Sequence, residues 1–143
     1  MAERRGVSIA LWRRKPNRAL FEIQKKCLDE VVAKNLGKSA FVCVVEPTSE
    51  PPDDDIRKAA AQMVSAHEKD LKCVALVIEG TGFRSAITRT VLSGIVMLSR
   101  TPAPIKFFDT PKSACLWVAS HLPSARDGLL EEIEALRLQL DVR

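Results

Sequence analysis

The sequence predicts an α/β protein in which a mostly parallel sheet of four or five strands is packed with helices, with an added helix at the C-terminal end. Short apolar runs alternate along the chain with longer segments of helical periodicity. Most of these runs are apolar without a break, which is typical of strands buried on both faces in a parallel sheet. A length of 143 residues suffices for one domain with a sizeable core.

The N-terminal half of the chain is predicted to form a strand, a helix and a second strand. Residues 7–11 are a short β-rich run that ends before Pro16. Residues 18–35 have helical spacing, and Gly37 suits the left-handed conformation that commonly ends a helix. Residues 40–45 are continuously apolar and predict a buried strand.

The central part of the chain contains the second and third helices. Residues 53–69 begin with three aspartates, which suit the positive end of a helix dipole. Residues 73–78 predict the third strand, and the glycine turn Gly80-Thr81-Gly82 follows it. The next helix is predicted over residues 83–100.

The C-terminal part adds one strand and two helices. A strand is predicted at residues 105–108, and a helix at residues 111–122 begins with a proline, a residue favoured in the first turn. A last amphipathic helix is predicted over residues 124–140. We therefore divide the chain into an α/β domain at residues 1–122 and a C-terminal helix at residues 123–143.

The helix at residues 83–100 carries apolar side chains on two sides. One stripe is predicted to pack on the sheet and consists of Phe83, Ile87, Val91, Gly94 and Leu98. Leu92 and Val96 point roughly the opposite way, alongside Ser85 and Ser99. Because two branched apolar residues on an outer face favour a contact, we expect the last helix or a second subunit to cover them.

The last helix has the spacing of a helix–helix seam. Its apolar residues are spaced four, three and four apart, at Leu129, Ile133, Leu136 and Leu140. Such a short helix needs a surface to pack on. Folding back on its own domain is one option, and pairing with another subunit is the one we favour. The sequence thus predicts a homo-oligomer with these residues, Leu92 and Val96 at its interfaces.

Composition excludes several classes of protein. The longest apolar runs are far shorter than the roughly 20 residues of a membrane span, and we read no signal peptide. The net charge is +4, and eight basic residues lie within the first 26 positions, but no nucleic-acid-binding motif accompanies them. The four cysteines form no C-x-x-C pair, which predicts buried thiols in a cytoplasmic protein without zinc.

The turn between the third strand and the following helix is the one candidate ligand site. Gly80, Gly82 and Arg84 offer backbone N–H groups and a cation to an anion. An alternative function is therefore a small-ligand or nucleotide binder that uses this turn. Glu46, Glu79 and Asp109 follow strands and could bind a metal or hold a proton, although such residues more often cap turns or face water. We predict no catalytic residue, metal or cofactor.

The strand Leu76-Val77-Ile78-Glu79-Gly80 and the helix after it resemble the STAS domains, the anti-sigma-factor-antagonist fold, in their SpoIIAA-like variant. The resemblance covers roughly residues 5–122. It implies a bacterial regulatory or scaffolding module that is not an enzyme and acts through a protein partner. It also implies phosphorylation of a hydroxyl at the start of that helix, where Ser85 is the matching residue and Thr81 and Thr88 lie nearby. The Asp-Ser pair of the family is Arg84-Ser85 here.

Overall fold

A five-stranded sheet forms the centre of the structure, a computed structural model that describes residues 1–142. Its strands lie side by side in chain order: β1 (Ala2–Arg4), β2 (Val7–Trp12), β3 (Ser39–Val45), β4 (Leu71–Ile78) and β5 (Ile105–Phe108). β1 is antiparallel to β2, and the other neighbours are parallel. The predicted α/β class with a mostly parallel sheet is therefore confirmed.

Helices connect the parallel strands. They are α1 (Arg18–Lys34), α2 (Asp54–Ala66), α3 (Phe83–Ser99), α4 (Pro111–His121) and α5 (Leu129–Asp141). Side chains at the N-caps fix two of the starts: Asn17 accepts from the N–H of Leu20, and Thr110 accepts from the N–H of Ser113. The last helix begins later than predicted, because Ser124 lies in a short 3-10 helix and Gly128 has a left-handed φ of 85°.

Apolar side chains from both faces of the sheet form two core clusters. One face of β2, β3 and β4 packs against α4 and α5, with Val42 and Ile133 fully buried between them. The other face packs against α1, α2 and α3, with Leu28 and Ile78 at 1% exposure or less. Burial on both faces explains why these strands are apolar without a break.

The sequence did not predict β1. Two of its three residues, Glu3 and Arg4, are charged, and it pairs at the sheet edge with Ala2 opposite Ile9. The connection to β2 is the pair Arg5-Gly6, with φ of 47° and 88°. Positive φ at both positions is typical of a two-residue hairpin turn, but Arg-Gly is not one of the residue pairs that normally indicate it.

Helix α5 packs on its own domain. Leu129, Ile133 and Leu136 are at most 5% exposed and lie in the core cluster beneath α4 and α5, and Leu140 is partly buried against the same cluster. The prediction that this stripe pairs with a second subunit is therefore wrong. The sheet of the same chain supplies the surface that the stripe needs, because α4 covers part of that face and leaves room for α5.

Among residues 1–142, none of the helices combines the length and the apolar character that a membrane crossing requires. Residue 143, the end of the predicted C-terminal segment, lies outside the described residues.

Candidate interaction surface

The glycines after β4 are required by the backbone. Gly80 has a φ of 87° and Gly82 a φ of 101°, which side-chain-bearing residues rarely adopt. A Cβ added at Gly80 would also lie 3.0 Å from the ring of Pro47. The turn therefore needs both glycines for its shape, whether or not a ligand binds there.

The structure separates the three predicted phosphate acceptors. Ser85 is 8% exposed and its hydroxyl donates to the carbonyl of Glu79 at 3.1 Å, while Thr88 is 3% exposed. Thr81 is exposed in the turn. The expectation that Ser85 is accessible to a kinase is therefore wrong, and phosphorylation in this region stays a prediction for Thr81.

The predicted anion site at the start of α3 has an open geometry. Gly82 occupies the N-cap position and provides no side-chain hydrogen bond to the first turn. Arg84 is exposed, and its Nη1 lies 3.5 Å from the carbonyl oxygen of Thr48 in the loop after β3. The turn thus brings Gly80, Gly82 and Arg84 together, and anion binding there stays a prediction.

Helix α3 faces the sheet with the side opposite to the predicted one. Ser85, Thr88, Ile95 and Ser99 are buried, and Leu92 and Val96 pack partly buried against the core cluster of α1 and α2. Leu92 and Val96 therefore belong to the interior of the chain, and the prediction that they form an interface is wrong.

Hydroxyl groups explain why apolar periodicity predicted the wrong buried side for α3. The inner side of α3 carries serine and threonine, which a search for apolar periodicity does not count. Two of these hydroxyls are satisfied locally, since Ser99 donates to the carbonyl of Val96 at 2.7 Å and Ser85 to that of Glu79. Because small polar residues bonded in this way can be buried at little cost, the more apolar side of the helix points outward.

The outward side of α3 is an exposed apolar row, which we call the α3 outer face. Phe83 is 82% exposed, Met97 78%, Leu98 60% and Ile87 38%, and Gly94 lies among them. The row spans about 22 Å between its first and last members at 1.5 Å per residue. Exposed Arg84 and Arg100 lie at its two ends, and α3 contains no acidic residue. A solvent-exposed apolar row of this kind is typical of interaction sites.

A second cluster of charged residues lies at the carboxyl ends of the strands. Arg137 of α5 donates from Nη1 to Glu46 at 2.5 Å and to Glu79 at 2.9 Å, and from Nη2 to Glu79 at 3.1 Å. Arg13, just after β2, donates to the other oxygen of Glu46 at 2.5 Å and pairs with Asp141 at 2.7 Å. We call these five residues the rim network.

Burial and hydrogen bonding act in opposite directions on the pKa of Glu46 in the rim network. Burial alone would raise the pKa of its carboxyl group, but hydrogen bonds from Arg13 and Arg137 lower that pKa below its usual value. Burial likewise works to lower the pKa of Arg137, and its bonds to Glu79 and Glu46 raise it. Charged pairs in this geometry hold α5 against the sheet, and they occupy the carboxylate oxygens that a base or a metal ligand would use.

Sequence reasoning placed three carboxylates along this rim and the structure brings two of them together. Glu46 and Glu79 share Arg137, whereas Asp109 is exposed and pairs with Arg89 at 2.8 Å. The arginines of the network were missed, because Arg137 is 91 positions from Glu46 and nothing local marks it. Within residues 1–142, no cluster of three or more His, Cys, Asp or Glu side chains is placed to hold a metal ion.

Comparisons with known proteins found no match to the chain among family models, curated proteins or solved structures.

Proposed function

We propose that the chain is a non-enzymatic cytoplasmic module that regulates or scaffolds by binding another protein, and that the α3 outer face is its binding surface. The exposed apolar row from Phe83 to Leu98 is the observation that supports this function. Burying large apolar side chains that now face water would favour association, because each contributes about 1.5–3 kcal/mol when fully buried. The resemblance to the STAS domains belongs to the same proposal, and the α/β architecture is compatible with it.

The charges around the row suggest the chemistry of the partner. Arg84 and Arg100 are exposed at its two ends, and α3 contains no acidic residue. A segment that presents apolar side chains flanked by Asp or Glu would complement this surface. An amphipathic acidic helix is the simplest such segment, since its apolar face can lie along α3.

The test compares two double variants that each change two exposed apolar residues, on opposite sides of the sheet. Phe83→Ser with Leu98→Ser removes two large side chains from the α3 outer face. Leu116→Ser with Leu138→Ser removes two leucines, 68% and 65% exposed, from α4 and α5. Each protein is used to capture partners from cytoplasm of the source cell, with quantitative mass spectrometry as the readout and melting temperature as the control for folding.

We expect at least one protein to be retained by the unchanged chain and by the α4–α5 variant, and lost by the α3 variant. Equal retention by all three proteins would overturn the proposal. The remaining alternative is that the chain is a subunit of a homo-oligomer, and light scattering of the same samples tests it. An oligomer that the α3 substitutions convert to a folded monomer would identify a second copy of the chain as the partner.

The alternative of a nucleotide or small ligand at the glycine turn is tested on the same proteins. A ligand that binds the folded state raises the melting temperature by mass action. A rise with ATP, GTP or inorganic phosphate that Arg84→Gln abolishes would support that alternative.

A further inference from the structure

A cavity of about 90 Å³ lies between the sheet and the helices α2 and α3. Its walls come from strands β3 and β4 below and from α1, α2 and α3 around and above, including Cys43, Leu76, Ala60, Leu92 and Ile95. Glu50 is exposed, while the other lining residues are buried or half-buried. The cavity therefore reaches the surface beside the loop between β3 and α2.

The walls of the cavity are almost entirely apolar. Gln24 of α1 is one of the few polar side chains in the lining, and its Oε1 already accepts from the indole N–H of Trp12 at 2.8 Å. Apolar cavities of this kind stay dry, and one of about 150 Å³ binds benzene or xenon. The shape and chemistry thus suit a slender hydrocarbon better than water.

Thr88 supplies one polar group to this apolar space. It is 3% exposed and contributes to the lining, and no hydrogen bond of its hydroxyl to any part of residues 1–142 is present. The neighbouring hydroxyls on the same side of α3 are bonded, Ser85 to Glu79 and Ser99 to Val96. Within residues 1–142 no buried side-chain oxygen lacks a hydrogen-bond partner, so the Thr88 hydroxyl oxygen keeps some accessible surface. A hydroxyl that lines a cavity in this way has hydrogen-bonding capacity left for a ligand.

We propose that this cavity is a binding site for a neutral aliphatic molecule with one hydrogen-bonding end, such as an alcohol, whose chain lies between the sheet and α3 and whose polar end meets Thr88. A charged end is disfavoured, because the apolar walls would have to bury an unpaired carboxylate and Glu50 at the opening repels it. This inference is independent of the proposed protein partner, which uses the other side of α3.

The experiment titrates the full chain with 1-hexanol, hexane and hexanoate at pH 7 and follows methyl signals by NMR. We expect 1-hexanol to shift the methyl signals of cavity residues such as Leu76, Leu92 and Ile95 in a saturable way, and hexanoate to bind at least tenfold more weakly. Thr88→Val keeps the shape and removes the hydroxyl. This substitution should weaken the binding of 1-hexanol by roughly three- to tenfold, in line with the net value of one hydrogen bond, and leave the binding of hexane unchanged.

The second part of the experiment fills the cavity with a larger side chain. Ala60→Leu adds bulk to the lining and should abolish binding of 1-hexanol and hexane, whereas Ala135→Leu makes the same change on the exposed side of α5 and should leave both unchanged. If Ala60→Leu does not fold, Leu92→Phe replaces it. The proposal is overturned if cavity methyl signals do not respond to 1-hexanol, or if a folded filled variant binds as well as the unchanged chain. Equal loss of 1-hexanol and hexane in Thr88→Val, or no loss of either, overturns the role of Thr88.

Discussion

Ser85 shows how the position of one hydroxyl decides between a modification site and a structural bond. It lies in the first turn of α3, where a phosphate would be favoured by the helix dipole and by Arg84. Its side chain instead points inward and donates to the carbonyl of Glu79, at the end of β4. Gly80 lies close by, since a Cβ there would be 3.2 Å from the Ser85 hydroxyl oxygen. The hydroxyl therefore stabilises the turn that starts the helix.

Ser85→Asp is expected to destabilise the fold by about 1–3 kcal/mol, because a buried carboxylate would face the Glu79 carbonyl with an acceptor in place of a donor. Thr81→Asp, in the exposed part of the same turn, should change the free energy of unfolding by less than about 0.5 kcal/mol. Urea unfolding followed by circular dichroism measures both. Equal stability of Ser85→Asp and the unchanged chain would show that Ser85 is accessible after all.

At the scale of elements, α5 and α3 differ in what their sequences reveal. Most apolar residues of α5 form one stripe, with Leu138 outside it, so the buried side of the helix was predictable even though its partner was not. Helix α3 has apolar residues on both sides, and its buried side is marked by hydroxyls that bond to nearby carbonyls. Periodicity alone could not choose between the two sides, because the choice depends on which one leaves fewer unsatisfied groups against the sheet.

Because α5 packs on the sheet of its own chain, substitutions on its buried and exposed sides should differ in their effect on stability. Ile133→Ala should cost about 2–5 kcal/mol in the free energy of unfolding, because the side chain is fully buried and its removal leaves a cavity. Leu138→Ala, on the same helix but 65% exposed, should cost less than about 0.5 kcal/mol. Chemical denaturation with light scattering at each end point is the measurement. If Ile133→Ala instead left the free energy of unfolding unchanged and converted an oligomer to a folded monomer, the stripe of α5 would pair with a second subunit after all.

Across the whole molecule, the class of fold was predictable and the charged network was not. Runs of apolar residues identify β2, β3, β4 and β5 because burial on both faces leaves a local signature. The rim network has no such signature, since it joins Arg13 after β2, Glu46 after β3, Glu79 after β4 and Arg137 of α5. The α3 outer face was also missed for a non-local reason: which side of a helix stays open depends on the layers around it.

The rim network makes the stability of the molecule depend on pH. Because the pKa of Glu46 is lowered in the folded state, acid should destabilise the fold. A carboxyl group whose pKa is lower in the folded than in the unfolded state stabilises the fold above its unfolded pKa, about 4.3 for Glu. That contribution is lost as the pH falls below about 4 toward the folded pKa, because the carboxyl group is then protonated in the unfolded state and must release its proton on folding. Glu46→Gln should therefore cost about 1–3 kcal/mol in the free energy of unfolding at pH 7, where the charged hydrogen bonds from Arg13 and Arg137 are intact, and clearly less at pH 3.

Urea unfolding at the two pH values gives the comparison, with Glu30→Gln on the exposed side of α1 as the control for loss of a negative charge. A cost for Glu46→Gln that is the same at both pH values would mean that the ionised carboxylate of Glu46 does not hold α5 to the sheet.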